Sequence, residues 1–163
     1  MQKKERDVFT AILLGGVIAG AIDIGAACVI SGRSPGFILQ VIAGGLLAKA
    51  SFEGGLASMF LGAVLQEVMG LLIATIYVLL AKSIPVLLRR WIISGLAGGV
   101  VIFFVMNYVV VPLSAWKSMP HFTPVKFAAN MAAMLLFGLI VAFFSRRLGV
   151  RAELTADGAA TAA

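Results

Sequence analysis

The chain has 163 residues, of which 61% are hydrophobic, and 13 Lys and Arg against 7 Asp and Glu give a formal charge of +6. Ordinary soluble chains are about 45–50% apolar, so the composition excludes a soluble domain and predicts an all-α polytopic membrane protein. Nucleic-acid binding is not indicated either, because the basic residues lie at the ends of apolar stretches, where such residues orient membrane proteins.

Residues 1–7 form a short basic tail with Lys3, Lys4 and Arg6. The apolar stretch 8–30 follows, and crossing a bilayer core about 30 Å thick takes roughly 20 helical residues, so it is predicted to span. The basic start and the quartet Gly25-Ala26-Ala27-Cys28 invite comparison with a leader or lipoprotein signal. The apolar run is longer than a signal core of roughly 7–15 residues, however. Asp23 interrupts it, and the residue three before the cysteine is not aliphatic. The single cysteine, Cys28, has no intrachain disulfide partner and reads as a small hydrophobe.

In segment 33–55, Ser34 followed by Pro35 reads as an N-cap and first helical position. Phe37, Ile38, Val41, Ile42 and Leu46 continue at helical spacing, and Lys49, Glu53, Gly54 and Gly55 close the segment. A helix over about 35–50 is at or below the minimum for a span. It is expected to lie at the outer interface or dip against the bundle.

Spans are predicted next at 58–81 and 91–111, joined by a connection in which Ser83-Ile84-Pro85 breaks the helix. Pro112 closes the third span, and Trp116 suits an interfacial anchor. Thr123 and Pro124 cap and start the fourth span, 124–144. Residues 148–163 are small, polar and Ala-rich, and are expected to form a disordered tail. These stretches make one membrane domain over residues 8–147.

Nine basic residues fall on one side of this plan: Lys3, Lys4, Arg6, Lys82, Arg89, Arg90, Arg146, Arg147 and Arg151. Four fall on the other: Arg33, Lys49, Lys117 and Lys126. The positive-inside rule then places both termini in the cytoplasm of a bacterial inner membrane. A fifth full span at 35–50 would break that segregation.

Each span carries a polar residue inside the apolar run. At a rise of ~1.5 Å per residue, Asp23 lies about 10 Å, Glu67 about 13 Å, Asn107 about 6 Å and Asn130 about 9 Å from the outer span ends. Together with Gln66 they define a candidate intramembrane polar or proton site contributed by all four spans. A charge at the middle of a helix costs about 2.5–3.5 kcal/mol on insertion scales, so such groups face the bundle interior, pair, or mark an ion path. The plainer alternative is that Asp23 and Glu67 are interhelical hydrogen-bonding groups, each worth about 0.6 kcal/mol. Arg33 is a candidate contact for a lipid headgroup or for Asp23. His121, the one histidine, reads as a solvated loop residue, and no metal site or cofactor is expected. No nucleophile elbow, zinc-protease, P-loop or dinucleotide motif is present, so no enzymatic activity is expected.

Gly16-Val17-Ile18-Ala19-Gly20 and Gly95-Leu96-Ala97-Gly98-Gly99 are small-residue motifs that let helix backbones approach closely. They predict packing within one bundle or a homo-oligomer interface. The expected partners are accordingly the lipid bilayer and a second copy or another membrane protein.

Arg33-Ser34-Pro35-Gly36 with its short apolar helix, and Val105-Met106-Asn107-Tyr108-Val109-Val110-Val111-Pro112-Leu113-Ser114, resemble a group of small bacterial inner-membrane proteins. More distantly they are similar to the YagU-like membrane proteins. The resemblance covers roughly residues 10–147 and implies four spans and an inner-membrane location. In that group the position of Gln66 is often histidine and the next residue apolar, so Gln66-Glu67 departs from the pattern. Two main functions follow from the residues: a structural or accessory component working through helix–helix contacts, or an oligomeric permeation or proton-coupled transport component using the polar layer; lipid handling by the outer helix and Arg33 is a weaker third.

Overall fold

The computed structural model describes the backbone of residues 2–119 and 121–160 and the side chains of residues 7–119 and 121–147. Among these residues there is helix and connecting turn but no strand. Five stretches are long and apolar enough to cross a membrane: Asp7–Ser31, Pro35–Phe52, Gly55–Ser83, Trp91–Leu113 and Pro124–Arg147. The sequence led us to expect four. The extra one is the segment expected to be too short, which reaches 18 residues because a 3-10 turn extends it.

Helix α1 covers Gln2–Ser31, taking up most of the expected N-terminal tail. Its end is set by Gly32, whose φ of 65° lets its N–H bond back to the Cys28 carbonyl at 2.9 Å. Helix α2, Pro35–Leu47, starts as the Ser34-Pro35 pair predicts, with the Ser34 hydroxyl accepting from the Phe37 N–H. At Ala48 the backbone takes a φ of 50°, costly for a residue with a Cβ, and a 3-10 turn over Ala48–Phe52 follows. Phe52 then stacks on Phe37 with ring centroids 5.4 Å apart. A straight helix would separate residues fifteen positions apart by about 22 Å, so this segment folds back on itself.

Helix α3 is Gly55–Ser83 and the short α4 is Val86–Arg89. Helix α5, Trp91–Val105, passes into a π turn at Met106–Val110 and then α6, Val111–Leu113. Pro112 explains that turn. It has no N–H, and its ring crowds the preceding helical turn, so the bonding shifts there and the Val111 N–H reaches the Met106 carbonyl. Helix α7 begins at Pro124, with Thr123 Oγ1 accepting from the Lys126 N–H at 3.4 Å, and runs to Ala160. The expected disordered tail over 148–160 is therefore helical in the backbone. Ala, Arg, Leu and Glu, all strong helix formers, dominate its first half. Residues 161–163 lie outside the described residues.

Helix α7 packs against α1 and α5; α1 also packs against α3, and α3 against α2. Glycines make the closest approaches. A methyl group on Gly70 of α3 would lie 2.9 Å from the Gly16 carbonyl oxygen of α1. Gly95 and Gly99 of α5 meet Gly138 of α7 in the same way. Both small-residue motifs are thus used for packing within the chain. The pairings Gly16 with Gly70 and Gly20 with Glu67 make α1 and α3 antiparallel. Gly15 against Val141 and Ala19 clustered with Phe137 do the same for α1 and α7, and Gly95 with Ala142 and Gly99 with Leu135 do so for α5 and α7. The start of α1 and residues 144–147 of α7 consequently lie at one end. Ala19, Ala74, Phe137 and Val141 form the buried center. Tyr77 of α3 and Ser94 of α5 share a hydrogen bond of 2.7 Å toward the end that carries the start of α1 and residues 144–147.

Candidate functional site

The close approach of Gly16 and Gly70 brings α3 up to α1, and one turn further along α1 the Gln66 and Glu67 side chains lie beside Gly20, where an added methyl group would be in ordinary contact, 3.6 Å from Glu67 Oε1. Gln66 Nε2 donates to Asp23 Oδ2 at 3.0 Å and to the Gly20 carbonyl at 3.4 Å. An amide nitrogen carries two hydrogens, so one side chain serves both acceptors. Glu67 Oε2 is buried with no hydrogen-bond partner among the described residues. Two carboxyl groups and an amide therefore meet at one crossing of α1 and α3.

Asp23 also borders a partly open cavity of about 240 Å³. Asp23 and Ser31 of α1 and Lys126 and Asn130 of α7 supply its polar lining, and Ile38 of α2 and Phe122 supply apolar wall. The geometry follows from the antiparallel pair. Asp23, Ala27 and Ser31 succeed one another by single turns along one face of α1, and Ala133, Asn130 and Lys126 do so along α7. Ser31 is the last residue of α1 and Lys126 is in the first turn of α7, and both are exposed. The cavity therefore has its mouth at that end and its floor at Asp23, about 12 Å deeper along α1.

Asp23, Gln66 and Glu67 are thus brought together, and Asn130 joins them across the cavity. Asn107 and Arg33 do not. Asn107 lies in the π turn and donates from Nδ2 to its own helix, at the Phe103 carbonyl, 2.8 Å away. The Arg33 guanidinium is stacked 4.9 Å from the Phe37 ring center rather than turned toward Asp23. The polar layer expected from four spans is therefore built by three helices, α1, α3 and α7. Lys126, Ser31 and Phe122 were not foreseen as lining residues. The signal for Lys126 was its place four residues before Asn130, on the same helical face. Cys28 is half-buried and unbonded.

A second contact fixes the helix that supplies Ile38. Trp116 donates from Nε1 to the Val41 carbonyl at 3.1 Å, and its ring lies on Gly44, where no larger residue fits. The Ala115 N–H donates to the Gly45 carbonyl at 2.8 Å. The connection after α6 thereby pins α2, which in turn contributes Ile38 to the cavity wall. In comparisons with known proteins, the chain matches no family model, no curated protein and no solved structure.

Proposed function

We propose that this chain is a membrane-embedded permeation or transport component that admits a small polar solute, or a proton, to Asp23. The observation that carries this reading is the cavity itself. It takes a carboxyl side chain, flanked by Asn130 and held by Gln66, into contact with a space that opens at one end of the bundle. A polar group at membrane depth that faced only packed helices would favor a purely structural role; one that borders an open cavity matches the pattern of substrate and ion pathways.

The proposal includes a topology of four spans, α1, α3, α5 with its π turn, and α7, with residues 35–52 forming a re-entrant hairpin. The antiparallel α1 and α3 support it, since one full crossing between them would make them parallel. The stacking of Phe52 on Phe37 supports it as well. We place both termini in the cytoplasm of a bacterial inner membrane, because the end that holds Lys82, Arg89, Arg90, Arg146 and Arg147 is also the end of the basic N-terminal residues.

A second reading has its own observation. Gln66 bridges two turns of α1, so the polar cluster also serves as a clasp between helices, which is what a structural or accessory membrane protein requires. Flux measurements in liposomes separate the two readings. Proton, ion and small-solute flux is expected for the native chain and lost in Asp23→Asn. Flux absent from both, with Asp23→Asn only less stable, overturns the transport reading in favor of the clasp.

A further inference from the structure

We propose that the cavity between α1 and α7 receives a zwitterionic molecule, with its primary ammonium group toward Asp23 and its acidic group toward Lys126. This deepens the transport reading and rests on it. Charge is ordered along the cavity. The carboxyl group lies at the floor and the lysine ammonium at the mouth, with Asn130 one turn of α7 below Lys126, about 6 Å along the axis.

A simple cation would have to pass the Lys126 ammonium on its way in. A simple anion would be drawn to the mouth and repelled from the floor. A molecule carrying both charges on a short carbon spacer presents the opposite sign to each, and neither protein charge is left unmatched in a low-dielectric surrounding.

The hydrogen-bonding state of the lining agrees. Gln66 engages Oδ2 of Asp23, and no hydrogen bond from the described residues reaches Oδ1. The Asn130 amide and the Lys126 ammonium likewise make no hydrogen bond or ion pair with the described residues. Three polar groups of the right kinds therefore converge on one space while remaining unused by the fold. Ser31, by contrast, is committed to its own helix end, donating to the Ala27 carbonyl at 2.6 Å. Ile38 and Phe122 provide apolar wall for a carbon spacer, and the Phe122 ring also suits a passing ammonium. At about 240 Å³ the space is below the roughly 300 Å³ at which drug-sized sites begin, so the molecule is small or is only the head of a larger one.

Two sources supply this chemistry: a soluble amino-acid-like solute, and the headgroup of an ethanolamine phospholipid in the surrounding bilayer. The test uses the full chain in bilayer discs of phosphatidylglycerol, which has no amine. Binding of radiolabelled O-phosphoethanolamine is compared with that of ethanolamine and of inorganic phosphate. The zwitterion is expected to bind at least tenfold more tightly than either. Lys126→Gln should reduce it to the ethanolamine level, and Asp23→Asn should lose both. Lys126 is exposed, so the lysine variant carries the test even where the Asp23 variant melts at a lower temperature.

Discs in which phosphatidylethanolamine replaces half of the lipid separate the sources. Loss of O-phosphoethanolamine binding there assigns the site to the lipid headgroup, and unchanged binding assigns it to a soluble solute. Equal affinity for ethanolamine and O-phosphoethanolamine, with Lys126→Gln silent, overturns the zwitterion and leaves the cavity reading in place. No binding of any probe by a protein that still carries flux also overturns the zwitterion. No binding together with no flux overturns the transport reading beneath it.

Discussion

Gln66 Nε2 reaches Asp23 Oδ2 and the Gly20 carbonyl oxygen together, at 3.0 and 3.4 Å, so a single side chain of α3 ties two successive turns of α1. Interhelical hydrogen bonds in membranes average about 0.6 kcal/mol and reach about 1.7 kcal/mol. Gln66→Ala is expected to lower unfolding stability in detergent or bilayer by an amount in that range. An unchanged unfolding midpoint would remove the clasp from the account of what holds α1 to α3.

The glycine seams make a sharper test of packing. A Cβ on Gly99 would lie 2.5 Å from the Met134 carbonyl oxygen and 2.7 Å from Leu135 Cα, both backbone atoms that cannot swing aside. Gly25, on α1, has nothing within 4 Å of the same position. Gly99→Ala is expected to cost about 1–3 kcal/mol, the usual range for overpacking, and Gly25→Ala to be neutral or slightly stabilizing. Equal unfolding midpoints for the two variants would contradict the α5–α7 approach described above.

The proposed re-entrant hairpin predicts which side of the membrane its residues face. In a chain with Cys28 replaced by serine, single cysteines at Phe37, Phe52 and Lys126 should react with a membrane-impermeant thiol reagent from one side. A cysteine at Arg89 should react from the other. The double variant Phe37→Cys with Phe52→Cys is expected to be joined by a short bifunctional thiol reagent, since ring centroids 5.4 Å apart hold the two positions close together. Labelling of positions 37 and 52 from opposite sides would establish a fifth crossing instead.

Asn107 serves as the internal control for the polar site. Its amide is satisfied by the Phe103 carbonyl of its own helix, so nothing in the cavity depends on it. Asn107→Leu should leave flux unchanged and shift stability by no more than about 0.5 kcal/mol, the range of substitutions away from structural features. A loss of flux comparable to that of Asp23→Asn would bring α5 back into the polar layer.

Local signals in the sequence carried much of the fold. Ser34-Pro35 and Thr123-Pro124 mark helix starts because capping depends on neighboring residues alone, and Pro112 ends a span because its ring acts on the turn just before it. Counting along each helix led to the expectation of a shared depth for the polar residues, and of these the structure brings Asp23, Gln66 and Glu67 together at one crossing. Which helices adjoin was not readable. That depends on where Gly16, Gly70, Gly99 and Gly138 meet in space, and the same small-residue spacing serves an internal seam or an external one. Asn107 looked equivalent to Asn130 in depth, and the π turn with its local hydrogen bond sets it apart. Lys126 was counted as an orienting charge when its helical face also places it at the cavity mouth. The fold-back at Ala48 had no signal at all, because a positive φ at alanine is imposed by the surrounding structure.

The neighbors of α7 bear on how the protein is made. Helix α7 follows α1, α3 and α5 in the chain, yet it is the helix that packs against both α1 and α5. α1 and α3 can pair through Gly16 and Gly70 as soon as residue 83 is inserted, but Asp23 then has lipid on the side that α7 will later cover. Until α7 is inserted the nascent chain holds a carboxyl group against hydrocarbon, and a chain stopped at residue 119 would do so permanently. Such a truncated product should be rapidly degraded in the cell, and co-expression of residues 120–163 as a separate fragment should extend its lifetime. The cavity wall that faces Asp23 is in this sense the final quality check on assembly.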